Sequence, residues 1–206
     1  SIADPFQNPL TLPYVYKGNL LGKGFRLNVS PGYETLNMPV ETDGPQENIL
    51  NSILLTIDNT FIMSDRWYSS YVIDVRQDDS RLTSSVGDND ADALKYSLKT
   101  TQMFFRDKSL KRAVIGNLGL VENDAKGSNK KYFRIEGGVT YTAPVRKDDS
   151  WNLGLAVYTL NYPSADDHRK DTDVSLTLGY AHPFYEWLLT NLSVNYTNNQ
   201  SNVTDN

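Results

Sequence analysis

One pattern constrains this chain more than any other: apolar and polar residues alternate with a period of two, in segment after segment. Trp151, Leu153, Leu155 and Val157 share one face, with Asn152, Gly154 and Ala156 on the other. Val174, Leu176, Leu178 and Tyr180 alternate with Asp173, Ser175, Thr177 and Gly179, and Leu188, Leu192, Val194 and Tyr196 with Asn191, Ser193 and Asn195. Upstream, Phe25, Leu27, Val29 and Tyr33 oppose Arg26, Asn28, Ser30 and Glu34, and Ile53, Leu55, Ile57 and Phe61 oppose Thr56, Asp58 and Thr60. Trp67, Tyr71, Ile73 and Val75 oppose Tyr68, Ser70, Asp74 and Arg76. Leu94, Tyr96, Leu98 and Phe104 oppose Lys95, Ser97, Lys99 and Thr101, and Phe133, Ile135, Val139 and Tyr141 oppose Arg134, Glu136, Gly138 and Thr140. Side chains of a strand point alternately to opposite faces, so each segment has one apolar and one polar or small face; helical spacing fits poorly. Residues 110–122 are strand-like with blurred faces. Residues 10–17 are the least regular candidate, because Pro13 cannot donate to a ladder and suits an edge or a strand start.

The links between these segments alternate in length. Short polar links fall at Ser64-Asp65, Arg106-Asp107-Lys108 and Arg146-Lys147-Asp148-Asp149, and a more aromatic one at His182-Pro183-Phe184-Tyr185-Glu186. Between them lie the longer stretches 37–48, 77–92, 122–130 and 162–172, rich in Asp, Asn, Ser, Gly and Pro, which read as solvated loops. Short turns on one rim and long loops on the other are the habit of a transmembrane barrel, periplasmic and extracellular respectively. Several segments also reach the roughly 9 to 11 residues that a tilted strand needs to cross a bilayer.

Composition agrees. At 39% hydrophobic residues, no run approaches the roughly 18 apolar residues of a spanning helix. A barrel wall shows lipid only alternate residues, so low mean hydropathy does not exclude one. A net charge of -5 with no Lys/Arg cluster argues against a nucleic-acid partner, and the absence of Cys excludes disulfides and thiolate metal sites. Trp67, Trp151 and Trp187 each follow a short link closely. With Tyr141, Tyr180 and Phe184 they form an expected interfacial girdle.

The polar faces contribute Arg26, Glu34, Asp58, Asp74, Arg76, Lys95, Lys99, Arg134, Glu136 and Asp173, five basic and five acidic. Charges held away from water must be paired, and the balance of signs favours a salt-bridge network filling a narrow lumen over a selective pore. Chemistry is sparse elsewhere. His168 sits in a charged loop with Asp166 and Asp167, and His182 in a short link; both read as solvated or packing residues. Gly87-Asp88-Asn89-Asp90-Ala91-Asp92 lacks the glycine and closing glutamate of a calcium loop. No phosphate loop, zinc motif or G-x-S-x-G is present. Neither a catalytic residue, a metal nor a cofactor is expected.

The alternating strands and the long and short links resemble bacterial outer-membrane β-barrels from Phe25 onward. A narrower resemblance is to the C-terminal barrels of exporters that carry tetratricopeptide repeats, including surface-lipoprotein assembly modifiers. It is carried by Tyr196-Thr197-Asn198-Asn199-Gln200-Ser201-Asn202-Val203 and the charged loop before Asp173-Val174-Ser175-Leu176, without a helical repeat. The resemblance implies a protein of the bacterial outer membrane, in contact with its lipid and with other outer-membrane or periplasmic proteins. The expectation is therefore one all-β domain over 1–206, an antiparallel up-and-down transmembrane β-barrel of about ten or more strands. Residues 1–24 are an extension or first strand and 25–198 the meander. Closure is expected through a strand after Asn206, in preference to residues 10–17. The functional expectation is a non-enzymatic channel, export conduit or structural or surface-binding barrel; the alternative is a soluble all-β ligand-binding domain, a sandwich or lipocalin-like barrel.

Overall fold

The alternation becomes strand throughout the computed structural model of the chain, which describes residues 6–39, 46–81, 87–107, 109, 111–145, 149–165, 168–185 and 188–203. The strands are β1 (Phe6–Thr11), β2 (Tyr14–Leu20), β3 (Lys23–Pro39), β4 (Gln46–Ser64), β5 (Trp67–Ser80), β6 (Ala93–Phe105), β7 (Ala113–Ala125), β8 (Tyr132–Pro144), β9 (Ser150–Asn161), β10 (Lys170–Tyr185) and β11 (Leu188–Ser201). They form one antiparallel sheet whose order follows the chain from β3 to β11, with β1 and β2 both pairing to β3. Single 3₁₀ turns at Gly87–Asn89 and Ser128–Lys130 are the helical content of the described residues.

β1 and β2 are two pieces of one arm. Thr11 lies opposite Gly32 and Tyr14 opposite Val29, so the register continues unbroken across the gap. The Leu12 N–H still donates to the Pro31 carbonyl at 3.0 Å. The return bond of that pair is missing because Pro31 has no N–H. Residues 10–17 are thus paired strand, and the ladder breaks at Pro31 on the partner rather than at Pro13. Since Leu12 faces β3, the odd residues of the arm turn their backbone to the free edge, and there Pro9 and Pro13 merely remove donors. With the nine strands β3 to β11, the arm makes ten antiparallel arms.

One expectation needs correction. The strands run to 19 residues in β4 and 17 in β3, longer than a bilayer crossing, and they consume parts of the stretches 37–48, 77–92, 122–130 and 162–172 that read as loop. Polar pairs such as Ser52 opposite Asp78 and Asn51 opposite Asp79 carry the pairing past the apolar band, because backbone hydrogen bonds do not require apolar side chains. Among the described residues the sheet is not closed: the β1–β2 arm and β11 are its two edges.

Register fixes which residues share a face. Leu98 pairs with Ile73 and Leu120, while Ser97 pairs with Asp74 and Val121, so the apolar set runs as a continuous band across neighbouring strands. From Leu94 to Phe104 that band covers eleven residues, ten steps of about 3.3 Å or about 33 Å along the strand. The other face is concave. A cleft of about 240 Å³ on it is lined from Glu34 on β3 to Arg134 on β8. On a flat sheet those six strands would span about 24 Å.

Candidate functional site

All ten charged residues expected to face a lumen fall on the concave face, and the structure gathers most of them near the long-link rim. Arg76 on β5 reaches over β4 to Glu34 on β3 at 2.7 Å and turns its Nε to Asp78 at 2.6 Å. The Ser52 hydroxyl, buried between them, accepts from Arg76 at 2.9 Å and donates to Asp78 at 2.5 Å. Asp74 accepts from the hydroxyls of Thr56 and Ser97 at 2.7 and 2.8 Å. Lys99 on β6 spans β7 to Glu136 on β8 at 3.2 Å, and Arg134 joins the same carboxylate at 3.0 Å. Glu136 can lie flat across β7 because the residue beneath it is Gly119, where a Cβ would come within 2.7 Å of the Glu136 Cγ.

The remaining members are not drawn into this network. Arg26 is exposed, Asp173 has no hydrogen-bond partner, and the buried Asp58 Oδ1 has none either, among the described residues. Below the charged rows the concave face carries Thr60, Ser70, Thr101, Asn117, Gly138, Ala156 and Ser175, opposite one another across six ladders. Apart from Arg26 and Lys17, which continue the Thr60 row on β3 and β2, charge therefore occupies one half of the face and small side chains the other. Asp78 and Ser52, both central to the network, were not singled out from sequence; their strand parity was the available signal.

The convex face carries most of the aromatic residues, while Tyr68, Phe105, Tyr132 and Tyr158 fall on the concave one. Trp67 opens β5 and stacks on Phe104 at 5.3 Å, and Trp151 meets Tyr141 at 5.5 Å with Tyr180 directly opposite in the ladder. A further row, Tyr16, Phe25, Phe61 and Tyr71, crosses β2 to β5 with centroids 5.6 to 6.3 Å apart. All of these convex rings lie toward the short-link ends. Trp187 is outside the described residues, as are Asp166 and Asp167, and of Phe184 only the backbone is described. Beside Trp67 sits a polar patch that the alternation hid. The Trp67 Nε1–H donates to Gln102 at 2.9 Å, and Gln102 donates to Ser69 at 2.6 Å and Thr100 at 3.0 Å.

The rims differ from expectation. His182, read as a packing residue, lies near the end of β10 with its Nδ1 2.6 Å from the buried Asp149, which also accepts from the Tyr180 hydroxyl at 2.8 Å. This ties the β8–β9 link to β10. On the opposite rim the links after β5 and β7 clasp each other. The Gly127 N–H donates to the Asp90 carbonyl at 3.0 Å, and Lys126 bonds Asp92 through its backbone N–H at 2.9 Å and its ammonium at 2.7 Å. A Cβ at Gly127 would stand 2.5 Å from the Asp90 nitrogen, so only glycine permits the approach. The Lys126 hydrogen bond, with the Ser80 N–H, holds the Asp92 carboxyl below its ordinary value, and the same bond raises Lys126.

Taken chemically, the charged half of the concave face can bind and orient polar solutes. Among the described residues no group of three or more His, Cys, Asp or Glu could hold a metal ion. No family model, curated protein or solved structure matches the chain.

Proposed function

We propose that this protein is a non-enzymatic, membrane-spanning β-barrel of the bacterial outer-membrane kind, with a charged lumen largely filled by its own side chains. The observation that carries the reading is inverted polarity. The buried apolar residues among those described are five alanines and Val121, whereas Leu98, Leu118, Leu155, Leu176 and Leu178 all stand exposed on the convex face. Apolar surface withdrawn from water contributes about 25 cal/mol per Å², so in water this sheet forgoes the main force that folds a soluble domain. Facing lipid, the same surface costs nothing.

The two edges support closure. Asn202 donates to the Lys170 carbonyl, so the odd residues of β11, such as Ser193, Asn195 and Thr197, turn their backbone outward. On the β1–β2 arm the outward residues are also odd, Thr11, Val15, Lys17 and Asn19, and they too lie on the concave face. Ten arms leave these edges antiparallel and matched in side-chain phase, complementary to each other or to an inserted even number of strands. Bilayer core does not tolerate an open edge, because its unpaired N–H and C=O groups find no water. About ten strands enclose an interior that side chains fill, so the protein is not a wide diffusion pore. Its partners on this reading are outer-membrane lipid and other outer-membrane or periplasmic proteins.

Purified protein is compared with and without detergent by circular dichroism and by gel mobility before and after boiling. The expected result is strand signal and a compact, heat-sensitive band only with amphiphile. A monomeric, cooperative β-fold in plain buffer overturns the reading in favour of a soluble all-β binding domain.

A further inference from the structure

The charged half of the concave face leaves two cationic donors unmet among the described residues. Apart from Asp58, its carboxylates are engaged: Glu34 and Asp78 by Arg76, Asp74 by Thr56 and Ser97, and Glu136 by Lys99 and Arg134. Its cations are met only in part: Arg76 and Lys99 are paired, whereas Lys95 and the Arg134 Nε–H are not. Lys95 makes no hydrogen bond or ion pair, among the described residues, although it carries three donors and no acceptor. It also stands directly opposite Arg76 in the β5–β6 ladder, a like-charge pair that is unfavourable unless an anion lies between or above. Across β7, the Nε–H of Arg134 is buried and has no partner. A buried charged donor left without a partner is costly, and an acceptor placed in the cleft would satisfy it.

Lys95 and Arg134 line the same cleft of about 240 Å³, together with Arg76 and Lys99. The floor between them is Val121, 1% exposed although its neighbours are polar, which places it beneath their stems. We infer that this cleft is an oxyanion site, taking a phosphate or carboxylate group of a solute between Lys95 and the Arg134 Nε–H. The pairing has a chemical logic. The planar guanidinium gives Glu136 a terminal nitrogen and keeps Nε for the ligand, while Lys95 supplies a mobile point charge from β6, on the other side of β7. The inference rests on reading the concave face as the lumen, which makes the cleft a station for an anionic solute rather than for lipid.

Inorganic phosphate and acetate are titrated separately, by calorimetry, into the full chain folded in an uncharged maltoside detergent. Saturable binding of either is expected, and which of the two binds tighter names the ligand class. Lys95→Gln should weaken it at least tenfold, Lys95→Arg should retain it, and Arg134→Lys should weaken it several-fold by removing the Nε–H. Lys170→Gln, on the exposed rim, should leave it unchanged. No saturable binding of either anion, or undiminished binding in Lys95→Gln, overturns the inference. Lys95→Arg keeps the question open to refutation if Lys95→Gln fails to fold: an arginine variant that folds and binds neither anion also sinks it. The heat-sensitive gel band reports the barrel independently, so loss of binding with that band intact counts against the anion site alone.

Discussion

Ser97 and Leu98 are neighbours in β6 with opposite fates. Ser97 is 9% exposed and gives its hydroxyl to Asp74, while Leu98 is 47% exposed and stands opposite Ile73 and Leu120 in its band. A period of two puts them on opposite faces, and the two faces obey different rules. Away from the Gln102 patch the convex face has nothing to satisfy and needs only to remain apolar. The concave face holds charges away from bulk water, and its central groups, Arg76, Lys99 and Glu136, depend on partners on other strands. A substitution should therefore act through lipid contact on one side and through broken pairing on the other.

The largest effect is expected from Leu98→Arg, about 2 to 4 kcal/mol lost in reversible urea unfolding from lipid vesicles, because a cation would face the bilayer near its midplane. No loss would mean that the convex face does not meet lipid. Arg76→Met comes next, at about 2 kcal/mol. It leaves Glu34 buried beside Ser52 without its counter-charge, discounted from a fully buried pair because Arg76 retains some exposure. Adding Glu34→Gln should recover most of that loss, and a strictly additive double variant would break the claim that the concave face is a network.

The rim belongs to neither face, which sharpens the contrast. Gly127→Ala should cost about 1 to 2 kcal/mol locally, seen as faster amide exchange at Asp90 and Gly127 with the strands' exchange unchanged. Acid should do least. Asp92 is depressed in the folded state, so its contribution is present above its unfolded value near 3.8 and is lost as pH falls through its lower folded value. Lys126 is raised, so its part is present below 10.5 and is lost only above its folded value. The clasp should hold across neutral pH and open below pH 3.8, followed by exchange at the Gly127 amide; opening near pH 6 would contradict the assignment.

Much of this was legible from residues alone, for identifiable reasons. Strand identity and face followed from parity, which is why Arg26 through Asp173 all fall on one side even where, as with Arg26, no partner is found. Pairing was not legible. That Arg76 chooses Glu34 and Asp78 depends on strand order and curvature, which alternation does not encode. The turn between β2 and β3 was hidden for another reason. Leu21 and Gly22 both adopt positive φ, 53° and 74°, as a tight two-residue hairpin requires, but leucine there lacks the usual Asn-Gly signature. The polar patch of Ser69, Thr100 and Gln102 was equally obscured, because its residues occupy positions that alternation assigns to the apolar band.

The most direct test of the central claim uses the absence of native cysteine. Single cysteines at Leu98, Leu155 and Leu176, and at Ser97, Ala156 and Ser175, are spin-labelled in lipid vesicles and challenged with oxygen and with a water-soluble nickel complex. The account predicts that the leucine positions relax with oxygen at bilayer depth and that the others do not. Lipid-type accessibility at Ser97, Ala156 and Ser175, with the leucine positions shielded from both reagents, would contradict it.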